Sequence, residues 1–292
     1  MSFPTPKVYL ITGCSTGLGY HLSRSVLAAG HHFIATLRNP FSPTSAGGTV
    51  LPLDVTSQPD ILESQLKAAL NVHGRIDVLI NNAGIAIAGV VETARLEDAM
   101  PMFETNFFGL VRLTQMVIPH MRKQGGGTIA NISSGAAVRP LPVIVLYSAS
   151  KSAVEGFTEA LRGEIAAFGI RVLLAVPGGM RTGFVSAAVK PELPESYKGT
   201  MSEYVFDALM SGAGNEKIDP VRAAKRIVDA VEGSGMLKGF EGKDYLRLPI
   251  GSETGDGLRE RVKVMKEETD ILEEVWRSVD FEDGVPHVPA SA

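Results

Sequence analysis

The sequence predicts an α/β fold, a doubly wound parallel sheet covered by helices on both faces. Three observations predict it. Short, continuously apolar runs alternate with amphipathic helical patterns from the first residues onward, and strands that are apolar throughout are buried on both sides. A glycine-rich turn, TGCSTGLG, follows the first run directly and leads into a helix. The chain has 292 residues, 45% apolar and 21% charged, enough to enclose one large core.

The elements follow in order. KVYLIT reads as a buried strand, and the pattern over 20–29 as a helix closed by Gly30. HFIATL and TVLPLDV are the second and third strands, ILESQLKAALNVHG is an amphipathic helix, and IDVLINNAG holds the fourth strand. A long helix is expected over 96–123, with Pro119 bending or ending it near its tail. GTIANISS and RVLLAVPGG are two further strands. Between them lies a helix that begins near YSASK, carries Val154, Phe157, Leu161 and Ile165 at helical spacing, and stops at Gly169. Residues 184–218 mix Pro and Gly with scattered Phe206, Leu209 and Met210; the stretch reads as a long loop, and ordered loops of that length are often lids. DPVRAAKRIVDAVEG is a helix with Asp219 as N-cap and Pro220 in its first turn. Residues 256–279 read as a charged helix, and the last dozen residues are expected to fray. The whole chain, 1–292, reads as one domain: a core over 7–183, a lid over 184–218 and a C-terminal helical extension over 219–292.

Bulk properties exclude several classes. The net charge is −4 with no basic block, so nothing invites nucleic acid. Cys14 is the only cysteine, which forbids an intrachain disulfide and fits a reducing, cytoplasmic setting. The opening MSFPTPKVYLITG lacks the pattern of a signal peptide, and no apolar run approaches the ~18 residues of a membrane span. The six histidines show no metal-ligand spacing, so no metal is expected; His31 and His32 fit a helix-to-strand turn.

Two motifs carry chemistry. Gly13, Gly17 and Gly19 let the backbone turn sharply and approach a ligand, and the helix N-terminus behind them offers free N–H groups to a phosphate. The spacing is G-x-x-x-G-x-G rather than the common G-x-G-x-x-G. Tyr147 and Lys151 lie four apart, so on a helix a phenol and an ammonium share one face. A neighbouring Lys⁺ stabilises tyrosinate and would lower the tyrosine pKa into the range of a proton-transfer group. The pentapeptide alone also fits a half-buried tyrosine with a solvated lysine behind it.

TGCSTGLG, NNAG at 81–84, Ser134 thirteen residues before Tyr147, YSASK, and PGGMRT at 177–182 occur in one order over 7–183. Together they resemble the short-chain dehydrogenase/reductase family, with its Rossmann-type sheet. The resemblance implies roles. Tyr147 would be the general acid or base at the substrate oxygen, and Lys151 would lower its pKa and hold the nicotinamide ribose. Ser134 would bind the substrate carbonyl or alcohol, with Ser133 one residue off spacing. Asn106, in ETNFFG, would order a proton-relay water; the plainer account is a helix-interior amide satisfied by backbone. Gly13, Ser15, Gly17, Leu18 and Gly19 would cradle the cofactor. Asp54 and Val55 would lie at the adenine, Asn81, Ala83 and Gly84 at the adenosine ribose, and Pro177, Gly178 and Thr182 at the nicotinamide.

The same resemblance puts Leu37 where dinucleotide folds that prefer NAD carry an acid for the ribose hydroxyls. Arg38 follows, and a guanidinium suits a 2′-phosphate, unless it is simply a solvated surface residue. NADP(H) is therefore expected to be preferred over NAD(H). The chain continues past the short tail of many such reductases and resembles a longer branch, like hydroxysteroid and retinol dehydrogenases, that acts on lipophilic alcohols and carbonyls. The expected ligand is thus a steroid-, retinoid- or polyketide-like small molecule, and the expected assembly a monomer or a homodimer. A nucleotide-binding scaffold or sensor without redox chemistry, or an epimerase- or dehydratase-like enzyme using the same tyrosine, are the competing readings.

Overall fold

The computed structural model describes residues 6–38, 48–189, 191–240 and 243–281. The fraying expected for the last dozen residues falls almost wholly outside the described residues. Seven parallel strands form one sheet in the order β3-β2-β1-β4-β5-β6-β7. The strands are β1 (Val8–Ile11), β2 (His32–Leu37), β3 (Thr49–Pro52), β4 (Val78–Asn81), β5 (Gly127–Ile132), β6 (Ile170–Pro177) and β7 (Arg247–Ile250). Tyr9 pairs with Phe33 on one side and Val78 on the other, and Val78 pairs in turn with Thr128. The order reverses between β1 and β4, which opens a crevice at the carboxyl ends of the strands.

Alternation along each strand divides the core in two. Leu10, Leu79, Ile129 and Leu174 face α2 (Pro59–His73), α4 (Gly109–Lys123) and α6 (Val145–Ile165), where Leu62, Leu113 and Val154 are buried. Ile11, Ile80, Ala130 and Leu173 face α1 (Gly17–Ala28) and α8 (Pro220–Glu232), where Leu22, Val26 and Ile227 are buried. α8 starts as the sequence implies: the Asp219 carboxylate accepts from the Val221 and Arg222 N–H groups, and Pro220 needs no partner there.

Three elements differ from the expectation. The helix over 96–123 is two helices, α3 (Leu96–Phe103) and α4, joined by one π-helical turn over Glu104–Phe108. Pro119 lies inside α4 and does not end it; the irregular turn comes just after Pro101, which has no N–H to give. Residues 184–218 contain a helix, α7 (Met201–Ser211). β7 lies in a stretch that reads as tail, because RLPI is short and holds Pro249. Proline is tolerated there because β7 is an edge strand. The C-terminal extension then runs through α9 (Ser252–Ile271) and α10 (Glu273–Arg277). Among the described residues no helix is long and apolar enough to cross a membrane.

Candidate active site

The crevice above β1 and β4 is a cavity of about 1360 Å³. The glycine-rich turn forms its floor at one end. Gly13 and Gly17 have φ of +70° and +57°, left-handed values that glycine adopts at little cost. A Cβ on Gly13 would stand 2.8 Å from the Ala83 Cα. No side chain caps the first turn of α1, which leaves its N–H groups free for an anionic ligand. Gly13, Ser15, Gly17 and Leu18 line the cavity. Gly19 does not. It lets α1 close on the turn, since a Cβ there would sit 2.3 Å from the Gly13 carbonyl oxygen.

The end of β4 corrects a second expectation. Asn81 is buried in the core, where its Nδ2 donates to Thr114 Oγ1 at 3.1 Å and Asn131 Oδ1 at 2.8 Å. The residue at the cavity is Asn82, whose Nδ2 donates to the carbonyls of Thr12 and Gly13 at 2.9 and 3.1 Å. Thr12 Oγ1 returns the tie by accepting from the Asn82 and Ala83 N–H groups. Strand alternation turns Asn81 and Asn82 to different sides, a signal that the motif NNAG already contains. Ala83 and Gly84 line the cavity, and so do Arg38, Asp54 and Val55. Asp54 accepts from the Thr56 N–H and hydroxyl, and among the described residues Arg38 has no ion-pair partner.

At the inner end β5 delivers Ser134 and α6 delivers Tyr147 and Lys151, all three on the cavity wall. Ser134 Oγ caps the short helix α5 (Gly135–Val138) by accepting from the Ala136 N–H at 3.1 Å. The same hydroxyl acts on Tyr147 and lowers its phenol pKa. Lys151, one turn further along α6, donates from Nζ to the Ile132 carbonyl at 2.9 Å. Ser133 donates to Glu155 at 3.0 Å. Pro177, Gly178 and Thr182 border the same end.

Two residues sit differently from the sequence expectation here. Asn106 is 1% exposed and does not face the cavity. Its Oδ1 accepts from the Ile85 N–H, and its Nδ2 donates to the Ile85 carbonyl and to Ser150 Oγ. Ser150 in turn donates to the Tyr147 carbonyl. The amide is satisfied largely by backbone, and it ties the loop after β4 to the helix that carries Tyr147. The second is the tyrosine itself. Burial pushes the Tyr147 phenol up to about 12 against the Ser134 hydrogen bond, and burial brings the Lys151 ammonium down to about 8. Desolvation is the largest cause of both shifts.

Phe184 also escapes the sequence reading. It lines the cavity and its ring lies 5.8 Å from that of Tyr147. Leu209 and Met210 of α7 close the same side.

These residues fit a dinucleotide running from Arg38 to Lys151. Gly13 and Gly17 provide a cradle that side chains would fill, and the uncapped start of α1 matches a pyrophosphate. Fold and site therefore define a dinucleotide-binding enzyme with a tyrosine and a lysine on the cavity wall. Residues 7–193 match the family model for short chain dehydrogenase, and the chain belongs to that family of oxidoreductases, whose fold binds nicotinamide dinucleotides. It is 41% identical over 217 residues to the oxidoreductase claN of Passalora fulva, covering 72% of this chain and 98% of that one. It is 41% identical over 179 residues to a 3-ketodihydrosphingosine reductase of Bacteroides thetaiotaomicron, 61% of this chain and 66% of the relative. Retinol dehydrogenase 8 of Bos taurus is 33% identical over 210 residues, 67% and 66% of the two chains. A solved short-chain dehydrogenase from Streptomyces avermitilis superposes with a TM-score of 0.83 at 32% identity, covering 96% of this chain and 100% of that one.

Proposed function

We propose that the protein interconverts a carbonyl and a secondary alcohol on a lipophilic small molecule, with NADP(H) preferred over NAD(H). The observation that carries the reading is the grouping of Tyr147, Ser134 and buried Lys151 on the wall of the cavity that the glycine-rich turn also lines. When bound, the nicotinamide would supply or accept the hydride. Tyr147 gives a proton to the oxygen that becomes the hydroxyl, and takes it back in the opposite direction. Ser134 donates to that oxygen as charge develops on it. Lys151 holds positive charge one turn away. Asn106 and Ser150 fix the backbone under Tyr147.

Phe184, Leu209, Met210, Val185 and Ala188 support a lipophilic substrate, because they offer no charge and one aromatic ring to what lies against Tyr147. The relatives named for ketodihydrosphingosine and retinol support the same class. Arg38 after β2, without an ion-pair partner among the described residues, and Leu37 in place of an acid support the phosphorylated cofactor. Incubation with a panel of long-chain and polycyclic ketones and deuterium-labelled NADPH tests the reaction. Deuterium in the product alcohol is expected. Turnover without label transfer, or no consumption of cofactor with any ketone, overturns the reading in favour of a non-redox role.

A further inference from the structure

The last helical segment leaves the body of the protein. Arg261 anchors α9 by donating to the carbonyls of Ala137 and Val138 at 3.3 and 3.0 Å, yet every residue from 261 to 281 is exposed. α9 passes into α10 through the single non-helical residue Leu272 (φ −99°, ψ 13°), across which the Leu272 N–H donates to the Glu268 carbonyl and the Trp276 N–H to the Leu272 carbonyl. Along this path Val262, Met265, Thr269, Leu272, Trp276 and Val279 recur at alternating steps of three and four, the spacing of a coiled-coil seam. Val262 is 66% exposed, Leu272 51% and Val279 81%. Val264, Ile271 and Val275 widen the stripe and are exposed too. A projecting helix gains little stability without packing, and an apolar face of this length in water marks a contact surface.

We propose that this face is the docking surface for a second copy of the same chain, with the two helices antiparallel. Charge selects the occupant. Residues 259–266 carry Arg259, Arg261, Lys263 and Lys266 against Glu260. Residues 267–280 carry Glu267, Glu268, Asp270, Glu273, Glu274 and Asp280 against Arg277. Parallel pairing would set like charges side by side. Antiparallel pairing sets the basic half of each helix along the acidic half of the other. The seam is also symmetric about its midpoint, between Asp270 and Ile271. Reversal therefore brings Val262 of one copy against Val279 of the other, Met265 against Trp276, and Thr269 against Leu272, with Lys266 flanking Glu273. Such a self-complementary surface closes a symmetric dimer. An anionic lipid surface fits less well, because acidic residues outnumber basic ones on this segment and interfacial helices carry Lys and Arg on their polar face.

Sedimentation velocity of the full chain at micromolar concentration is expected to show a dimer. Met265→Glu with Leu272→Glu, both at exposed positions, should give a folded monomer with unchanged circular dichroism. Lys266→Glu and Glu273→Lys should each weaken the dimer several-fold, and the two together should restore it. A monomeric wild type overturns the proposal. So does a dimer indifferent to the paired glutamates, which would place its interface elsewhere, and so does failure of the double reversal to restore association. Binding of the wild type to mixed phosphatidylcholine and phosphatidylserine vesicles without self-association would assign the face to a membrane instead.

Discussion

Burial sets the protonation of the two titratable groups at the site, and it sets them in opposite directions. Tyr147 at about 12 stays a neutral phenol at physiological pH, which suits donation of a proton to a carbonyl oxygen. Lys151 at about 8 holds its charge below that pH and loses it above. Reductive kcat/KM is therefore expected to be level on the acid side of pH 8 and to fall on the alkaline side, as the ammonium beside the developing oxyanion disappears. A pH–rate profile measured with saturating cofactor checks this, and a profile that rises through pH 8 would contradict it. Tyr147→Phe should leave cofactor affinity nearly intact and lower turnover by ~10²–10⁴-fold, the usual contribution of a general acid or base. Cofactor titration and single-turnover rates separate the two effects. The sequence placed Tyr147 and Lys151 on one helix face but misjudged the sign of the tyrosine shift. Spacing along a helix is legible in a sequence, whereas the loss of water around a side chain depends on what packs over it.

At the scale of elements, the strands that were easiest to read are those with uninterrupted apolar runs, such as HFIATL and RVLLAVPGG. β7 was missed because edge strands can be short and can hold proline. The π-turn was missed because its sequence, ETNFF, continues the helical pattern on both sides, although it alone brings Asn106 under the loop after β4. The glycine turn was legible as a turn, but not the division of labour within it. Gly13 and Gly17 border the cavity, while Gly19 sets how near α1 can come. Gly19→Ala forces a Cβ against the Gly13 carbonyl and Asn82 Nδ2, so a stability loss of ~1–3 kcal/mol is expected from overpacking, read in a urea melt. The segment 184–218 is tied to the loop after β4 by Val189, which accepts from the Ala88 N–H and donates to the Ala86 carbonyl. As a lid, the role expected from the sequence, it would exclude water from Tyr147 and Ser134 on closing. Hydrogen exchange over this segment should slow when NADPH and a lipophilic ketone are both present. Strong and equal protection with and without them would rule out a lid.

Across the whole molecule, the cavity joins parts far apart in sequence. Arg38 follows β2, Asp54 follows β3, Asn82 follows β4, Ser134 follows β5, and Tyr147 lies on α6. Thr254, at the start of α9, packs against Gly135 and Gly178, so the C-terminal extension also bears on the catalytic end. A ligand that spans this cavity stabilises the fold as a unit, by an amount that grows with the logarithm of its concentration over its Kd. Cofactor preference can therefore be read from global stability without any substrate. A hydrogen bond to a charged group contributes roughly 1.5–3 kcal/mol. Arg38 is exposed at the cavity mouth, which places its contribution in the lower part of that range. The expected preference for NADPH over NADH is then roughly ten-fold, or about 1.4 kcal/mol. For a chain of this size that corresponds to roughly 2–4 °C in Tm when both cofactors are in equal excess. Arg38→Ala should abolish the difference by lowering the NADPH shift to the NADH value. Leu37→Asp combined with Arg38→Ala should reverse the order, because the carboxylate would meet the ribose hydroxyls and repel a phosphate. Equal shifts in the wild type, or a larger shift with NADH, would remove Arg38 from the cofactor site.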